Sequence, residues 1–287
     1  MSLLSEIAAY ASVVAAVGSI GTAPVAPTLP PPTVMTIQSD DNYQVENRGV
    51  DALSVGSHMV NNIGDIRGNN ANKTIINGID VSAHQHKGTS SMDTQKVIDS
   101  GEIKFAFIKA TEGTHYINPH FRDDTVTFIN NNTPVGFYHY ARPTNSTDDA
   151  KEQARYFVKV TGIDQGVKSF PPVLDIEEDE GLNSTEIINW VDAFVNEVKD
   201  LTGKDTMIYT YPNFWRDKMN NTTKFNHLPL WIADYNKQAQ PLTPLPGGWS
   251  KWTFWQYTSE EKITGIDDNV DGNVFNGNHD ELLSLYR

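Results

Sequence analysis

Read for the alternation of apolar and polar positions, the chain changes character at about residue 74. Beyond it, short apolar runs recur at residues 75–81, 105–110, 135–140, 173–177, 207–210, 230–233, 252–257 and 270–271. They are rich in β-branched and aromatic side chains and are bounded by Gly, Pro, Asn or Asp, which is how buried strands read. Helical periods lie between several of them. Asn183 with Glu186 three positions on forms a capping box, and Ile187, Ile188, Val191, Phe194, Val195, Val198 and Leu201 follow at helical spacing until Gly203. Residues 147–160 predict another helix, with Ala150, Ala154, Phe157 and Val158 on one side. Such alternation predicts an α/β fold with a parallel sheet, and eight strands predict a closed barrel. The segments between the last three strands are Pro- and Gly-rich and lack a full helical period, so the barrel should be irregular at that end.

Residues 1–73 follow no such pattern and separate from a barrel unit at 74–287. From Met1 to Glu46 there is neither Lys nor Arg, residues 7–20 are Ala- and Val-rich, and residues 24–32 are Pro-rich. A secretory signal would carry a positive n-region, where here Glu6 stands. The apolar part is shorter than the roughly 20 residues of a bilayer span. It predicts a short apolar helix that packs on a partner or on further copies of itself, followed by a polyproline-like spacer. The competing reading is a disordered tail. Residues 40–73, rich in Asn, Gly and Asp, read as a linker.

Composition narrows the partners. A formal net charge of -14, from 36 acids against 22 bases, argues against nucleic acid, which needs a basic stripe. The absence of Cys removes disulfide and thiol chemistry. No phosphate loop or dinucleotide turn occurs, and no cofactor is implied. His84 and His86 flank Gln85 in what reads as a loop, since no third ligand follows at zinc-like spacing. The triplets beginning at Asn145 and Asn183 match the glycosylation pattern but read better as helix starts.

Chemistry in a barrel sits at the carboxyl ends of the strands, and polar residues collect there. Asp80 ends the first strand, Lys109 and Glu112 the second, and His139 and Arg142 the third, with Tyr140 between them. Asp175 and Glu177 end the fourth, Tyr209 and Tyr211 the fifth, Asp234 and Tyr235 the sixth and Gln256 the seventh, with Asp271 on the eighth. Asp175 and Glu177, two apart on a strand, should face the same way. Held that close, they favour one proton on the pair, which supplies an acid and a carboxylate as glycosidic cleavage requires. Acids facing solvent, a helix cap or a metal ligand are the plainer readings. Trp231, Trp255 and Tyr209 are candidates for a sugar platform or, equally, for the core.

From about Ile76 onward the sequence resembles the family 25 glycoside hydrolases, the Chalaropsis-type lysozymes of bacteria, phages and some fungi. The resemblance is carried by Gly78-Ile79-Asp80-Val81-Ser82, Phe107-Ile108-Lys109-Ala110-Thr111-Glu112-Gly113, Gly136-Phe137-Tyr138-His139-Tyr140-Ala141-Arg142-Pro143 and Leu174-Asp175-Ile176-Glu177. It continues in Tyr209-Thr210-Tyr211, Leu230-Trp231-Ile232-Ala233-Asp234-Tyr235, Trp255-Gln256-Tyr257-Thr258 and Val270-Asp271-Gly272-Asn273. Each is weak alone, and the resemblance lies in all eight standing in the family's order. It implies an irregular TIM-like (β/α)5(β)3 barrel with N-acetylmuramidase activity on bacterial peptidoglycan. It implies Glu177 as general acid, Asp175 as its charge-stabilising neighbour, and Asp80 and Asp271 completing an acidic cluster. Gly272 departs from the larger apolar residue common in the family. The close spacing of Asp175 and Glu177 suggests attack by the substrate's own acetamido oxygen, with an inverting route through a water held by Asp80 or Asp271 as the rival. The tail suggests a phage-borne enzyme, virion-associated or released to the cell wall, tethered to a virion or tail protein through residues 1–73. A catalytically weak sugar-binding or structural virion protein carrying the same barrel is the alternative.

Overall fold

The computed structural model describes residues 75–86 and 91–287. The apolar helix, Pro-rich spacer and linker expected before residue 74 lie outside the described residues.

The apolar runs become β1 (Ile76–Val81), β2 (Phe105–Glu112), a two-residue β3 (Tyr116–Ile117), β4 (Val135–Tyr140), β5 (Val173–Asp175), β6 (Met207–Thr210), β7 (Leu230–Ala233), β8 (Phe254–Glu261) and β9 (Val270–Phe275). All but β3 form a ring in the order β1-β2-β4-β5-β6-β7-β8-β9, which closes where β9 pairs with β1. Helices α1 (Thr94–Ser100), α2 (Phe121–Asn130), α3 (Thr147–Thr161), α4 (Ser184–Thr202) and α5 (Pro212–Asp217) follow β1, β3, β4, β5 and β6, giving five β/α units. The last three barrel strands follow without such helices, and α6 (His279–Leu285) comes after them.

One expectation is corrected. The sheet is not wholly parallel, because β9 runs antiparallel to both β8 and β1. The connection from β8 to β9 is only residues 262–269, too short for the crossover that a parallel neighbour requires.

Caps set the long helices. The Ser146 hydroxyl accepts from the Asp149 N–H at the start of α3, and α4 opens on the reciprocal Asn183–Glu186 box. Both end on left-handed glycines, Gly162 (φ 66°) and Gly203 (φ 69°).

Strand alternation divides the core in two. Ala106, Ile108, Leu174, Ile208 and Ile232 face outward among the helices, while Phe105, Phe107, Val173, Met207, Phe254 and Phe275 fill the interior. Phe105 and Phe107 fit only because β1 and β4 offer no side chain opposite them. A Cβ on Gly78 would collide with the Phe105 ring, and one on Gly136 with the Phe107 ring. This floor is apolar and aromatic, so polar chemistry is confined to the mouth above it.

Candidate active site

Inward-pointing polar side chains collect at one end of the barrel, where the parallel strands finish and β9 begins. They line an open cleft of about 350 Å³. Asp80, Lys109, Tyr140, Asp175, Glu177, Tyr209, Trp231, Gln256 and Asp271 all lie on its wall. In the ring of eight, β5 stands four places from β9, so the acids of Asp175 and Glu177 face those of Asp271 and, one strand on, Asp80.

Asp80 is built in rather than merely present. Its Oδ2 accepts from Gln256 Nε2 (2.8 Å) and from Asn273 Nδ2 (2.7 Å). Each amide is oriented in turn by an aromatic donor. Gln256 Oε1 accepts from the Tyr209 hydroxyl (2.9 Å) and the Tyr235 hydroxyl (2.6 Å), and Asn273 Oδ1 accepts from the Trp231 indole N–H (2.8 Å). With their oxygens so occupied, both amides can only present N–H groups to Asp80. Burial raises Asp80 to about 6 against these hydrogen bonds, which lower it. Asp271, its register partner on β9, is driven to about 9 by burial and by the charge and hydrogen bond of Asp80. Near neutral pH the proton therefore rests on Asp271 and the charge on Asp80.

The second pair behaves differently. β5 ends at Asp175, one residue pair sooner than the sequence predicts, but the Ile176 N–H still reaches the Tyr209 carbonyl (3.0 Å) and keeps the chain extended. Asp175 and Glu177 thus both face the cleft, and Ile176 is fully buried behind them. Burial, then the Glu178 charge, raises Glu177 to about 7, while Tyr140 and Lys109 pull it down. Burial and the Glu177 charge raise Asp175 well above the ordinary carboxyl range. One Asp175 oxygen, Oδ1, is buried with no hydrogen-bond partner. A buried acceptor without a partner, on a residue that lines the cleft, is a place for a ligand's donor.

The wall on the β2–β4 side is cationic. A bulge between Lys109 and Thr111 breaks the β2–β4 register, and Lys109 turns into the cleft with its Nζ 2.6 Å from Glu112 and 4.5 Å from the Tyr140 ring centroid. Arg142 stands 4.8 Å from the same ring and bonds Glu112 and Glu180. The Tyr140 hydroxyl donates to Glu178 (3.2 Å) beside the general-acid candidate.

Comparison with known proteins gives this arrangement its setting. Residues 79–266 match the family "Glycosyl hydrolases family 25". The chain belongs to that family. As one of its members it is a glycoside hydrolase. It is 34% identical to "Lysozyme M1" of Streptomyces globisporus over 73% of this chain and 71% of that protein. It is 32% identical to "N,O-diacetylmuramidase" of Chalaropsis sp over 70% of this chain and 96% of that one. A solved bacterial lysozyme from Streptomyces coelicolor superposes with a TM-score of 0.66 at 33% identity, covering 75% of this chain and 98% of its own.

The glycoside hydrolase barrel divides the remaining predicted residues between the cleft and its surroundings. Trp231 touches the cleft but is only 1% exposed and stacks on Phe107 at 4.2 Å, so it joins the cleft to the aromatic floor and presents no broad face to a sugar. Trp255 points outward, its indole N–H on the Asp234 carbonyl (2.9 Å). The Asp234 carboxylate accepts from the Leu242 N–H (2.8 Å) and shapes the loop after β7. Arg142 stands behind Tyr140 and outside the cleft lining. His84 is on the cleft wall, while His86 turns away to Asp124 (2.9 Å) and stacks on His120 at 3.8 Å. Among the described residues no group of three or more His, Asp or Glu side chains is placed to hold a metal, and no helix there is long and apolar enough to cross a membrane. At Gly272 the missing side chain's space is taken by Tyr257, whose hydroxyl donates to Glu261 (2.6 Å).

Sequence reasoning left Tyr138 and Asn273 out of the site and put His139 in it, whose ring instead packs outward on Phe157 and Phe194 and bonds Gln153 (2.9 Å). Tyr138 is buried amid Asp80, Asp175, Asp271 and Glu177, all of which, after burial itself, raise its hydroxyl. Period-2 alternation from Tyr140 would have placed it on the inner face, and the same count from Asp271 reaches Asn273.

Proposed function

We propose that the chain is a peptidoglycan hydrolase, an N-acetylmuramidase cleaving the β-1,4 bond between N-acetylmuramic acid and N-acetylglucosamine. The observation that carries this reading is the division of labour between Glu177, poised to hold a proton at about pH 7, and Asp175, whose buried Oδ1 has no partner. Glu177 would protonate the leaving glycosidic oxygen. Asp175 would accept the acetamido N–H and aim the acetamido oxygen at the anomeric carbon, displacing the leaving sugar with retention; water would then open the ring so formed, returning its proton to Glu177. Asp80 favours this route over the inverting one, because three hydrogen bonds already occupy its carboxylate and leave little of it free to hold an attacking water. The sugar contacts would come from Tyr140, Tyr209, Gln256, Lys109 and the exposed Tyr235 at the rim.

The setting is part of the proposal. The Ala- and Val-rich then Pro-rich composition of residues 1–73 supports a tether to a phage particle, through a virion or tail protein or through further copies of the chain, with action at the bacterial cell wall. The alternative, a sugar-binding protein without catalysis, is disfavoured by the complete acid quartet. Digestion of purified peptidoglycan followed by mass analysis of the new reducing ends tests the reading. Reducing N-acetylmuramic acid is expected, and reducing N-acetylglucosamine or no release would overturn it.

A further inference from the structure

Tyr116 lies outside the cleft lining, on the short hairpin by which β2 turns back through residues 113–115 into β3. Of the large apolar side chains exposed among the described residues, Tyr116, Ile117, Tyr211 and Tyr235 stand on segments that leave the carboxyl ends of β2, β6 and β7. In the ring, β2 and β7 are four strands apart, so Tyr116 and Tyr235 flank the mouth from opposite sides. The axis joining them crosses the axis that joins the acids of β5 to those of β9. A polymer lying from one tyrosine to the other would pass between the two acid pairs.

The Tyr116 ring is continuous with the cleft. Lys109 Nζ lies 4.5 Å from the Tyr140 ring centroid and 5.6 Å from that of Tyr116, making Tyr116 the next aromatic step outward. It is also held in place. Tyr116 pairs with Glu112 and Ile117 with Thr111, and the buried Asn118 side chain donates to the Lys109 carbonyl (2.9 Å). Despite that fixed backbone the residue remains 39% exposed. A rigid, half-open aromatic face beside a polar cleft is suited to the C–H face of a sugar ring.

We propose that Tyr116 is the stacking platform of a distal sugar subsite, occupied by the glycan strand of the substrate when it is long enough to cross the mouth from Tyr235. This rests on the muramidase reading. The site would make the enzyme sensitive to chain length, since only longer strands gain the outer contact.

The test compares wild type, Tyr116→Ala and Tyr116→Trp on alternating N-acetylglucosamine and N-acetylmuramic acid oligomers of four and of ten or more sugars. Cleavage and equilibrium binding are both measured. On long oligomers Tyr116→Ala should lose about three- to tenfold in kcat/KM, chiefly through KM, and a similar factor in affinity. Tyr116→Trp should restore both, and on the tetrasaccharide the three proteins should agree within twofold. Equal losses on short and long oligomers, or none on long ones, would overturn the subsite. If wild type cleaves neither oligomer, the muramidase reading falls, and the binding comparison on long oligomers still decides the role of Tyr116.

Discussion

Asp80 and Asp271 are direct register partners across the β1–β9 ladder, and one proton serves the two. The antiparallel entry of β9 makes this possible, since it delivers Asp271 to the mouth by the strand's amino end. Asparagine at 271 would still donate a hydrogen bond to Asp80. Asp271→Asn is therefore expected to keep activity within about tenfold of wild type. A fall of the order of 10²–10⁴, the scale of a lost general base, would show that Asp271 activates water and would favour inversion. Initial rates and the anomeric form of the first product decide it.

The pair belongs to a set of four raised carboxyls that governs stability against pH. Asp80, Glu177 and Asp271 are raised to about 6, 7 and 9, and Asp175 is raised as well. Above the unfolded carboxyl values the native state therefore holds protons that the unfolded chain has released. Their contribution is complete below about pH 4 and is lost as pH rises through each folded value. His139 works in the opposite sense: buried and lowered to about 4, it destabilises as pH falls below about 6.5. Thermal melts at pH 6.5 and 9 separate the two, because only the carboxyls act in that window. Wild type should melt about 5 °C or more lower at pH 9, and Asp271→Asn should show a smaller drop.

Glu177→Gln keeps the shape of the acid without its proton. Turnover should fall by about 10²–10⁴, with an unchanged fold by circular dichroism. In wild type the rate should decline as pH rises through about 7, as Glu177 loses its proton. A wild-type rate that stayed level to pH 9 would remove Glu177 from the acid role.

Asp175→Asn takes a raised, buried carboxyl out of the cleft. It should melt no lower than wild type at pH 8, while its turnover on N-acetylated substrate drops at least about 10²-fold. A substrate bearing a free amine in place of the acetamido group should be cleaved poorly by wild type and by the variant alike. Near-normal rates of the variant on the N-acetylated substrate would sink the acetamido route.

Gln256→Leu removes an Asp80 donor and the acceptor shared by Tyr209 and Tyr235. Stranding buried polar groups costs about 1–3 kcal/mol each. Chemical denaturation should show a loss in that range or above, with Asp80 titrating higher in a carboxyl-resolved NMR experiment.

What could be read from the sequence and what could not follow the same physics. The 135–140, 207–210 and 230–233 runs match their strands to the residue, because period 2 and flanking breakers are local signals. Helix α4 was equally plain, since its cap, apolar stripe and Gly203 all lie within one stretch. The direction of β9 was not, because alternation reads identically forward and backward. The β3 hairpin was too short to carry a period. Amides such as Asn273 announce no chemistry until tertiary contact places them, and a tryptophan's letter does not distinguish the floor, where Trp231 sits, from a platform.

The closure of the barrel by β9 bears on when the protein can act. Asp80 stands near the beginning of the barrel, yet its two amide donors come from 176 and 193 residues further along the chain. While the polypeptide is being made, every ribosome-bound intermediate short of residue 273 lacks the Asn273 donor, and those short of residue 271 lack the proton-sharing partner as well. Activity should therefore switch on once residue 273 has joined the barrel instead of growing with chain length. A chain clipped within the last hairpin would be both open at the barrel seam and catalytically mute.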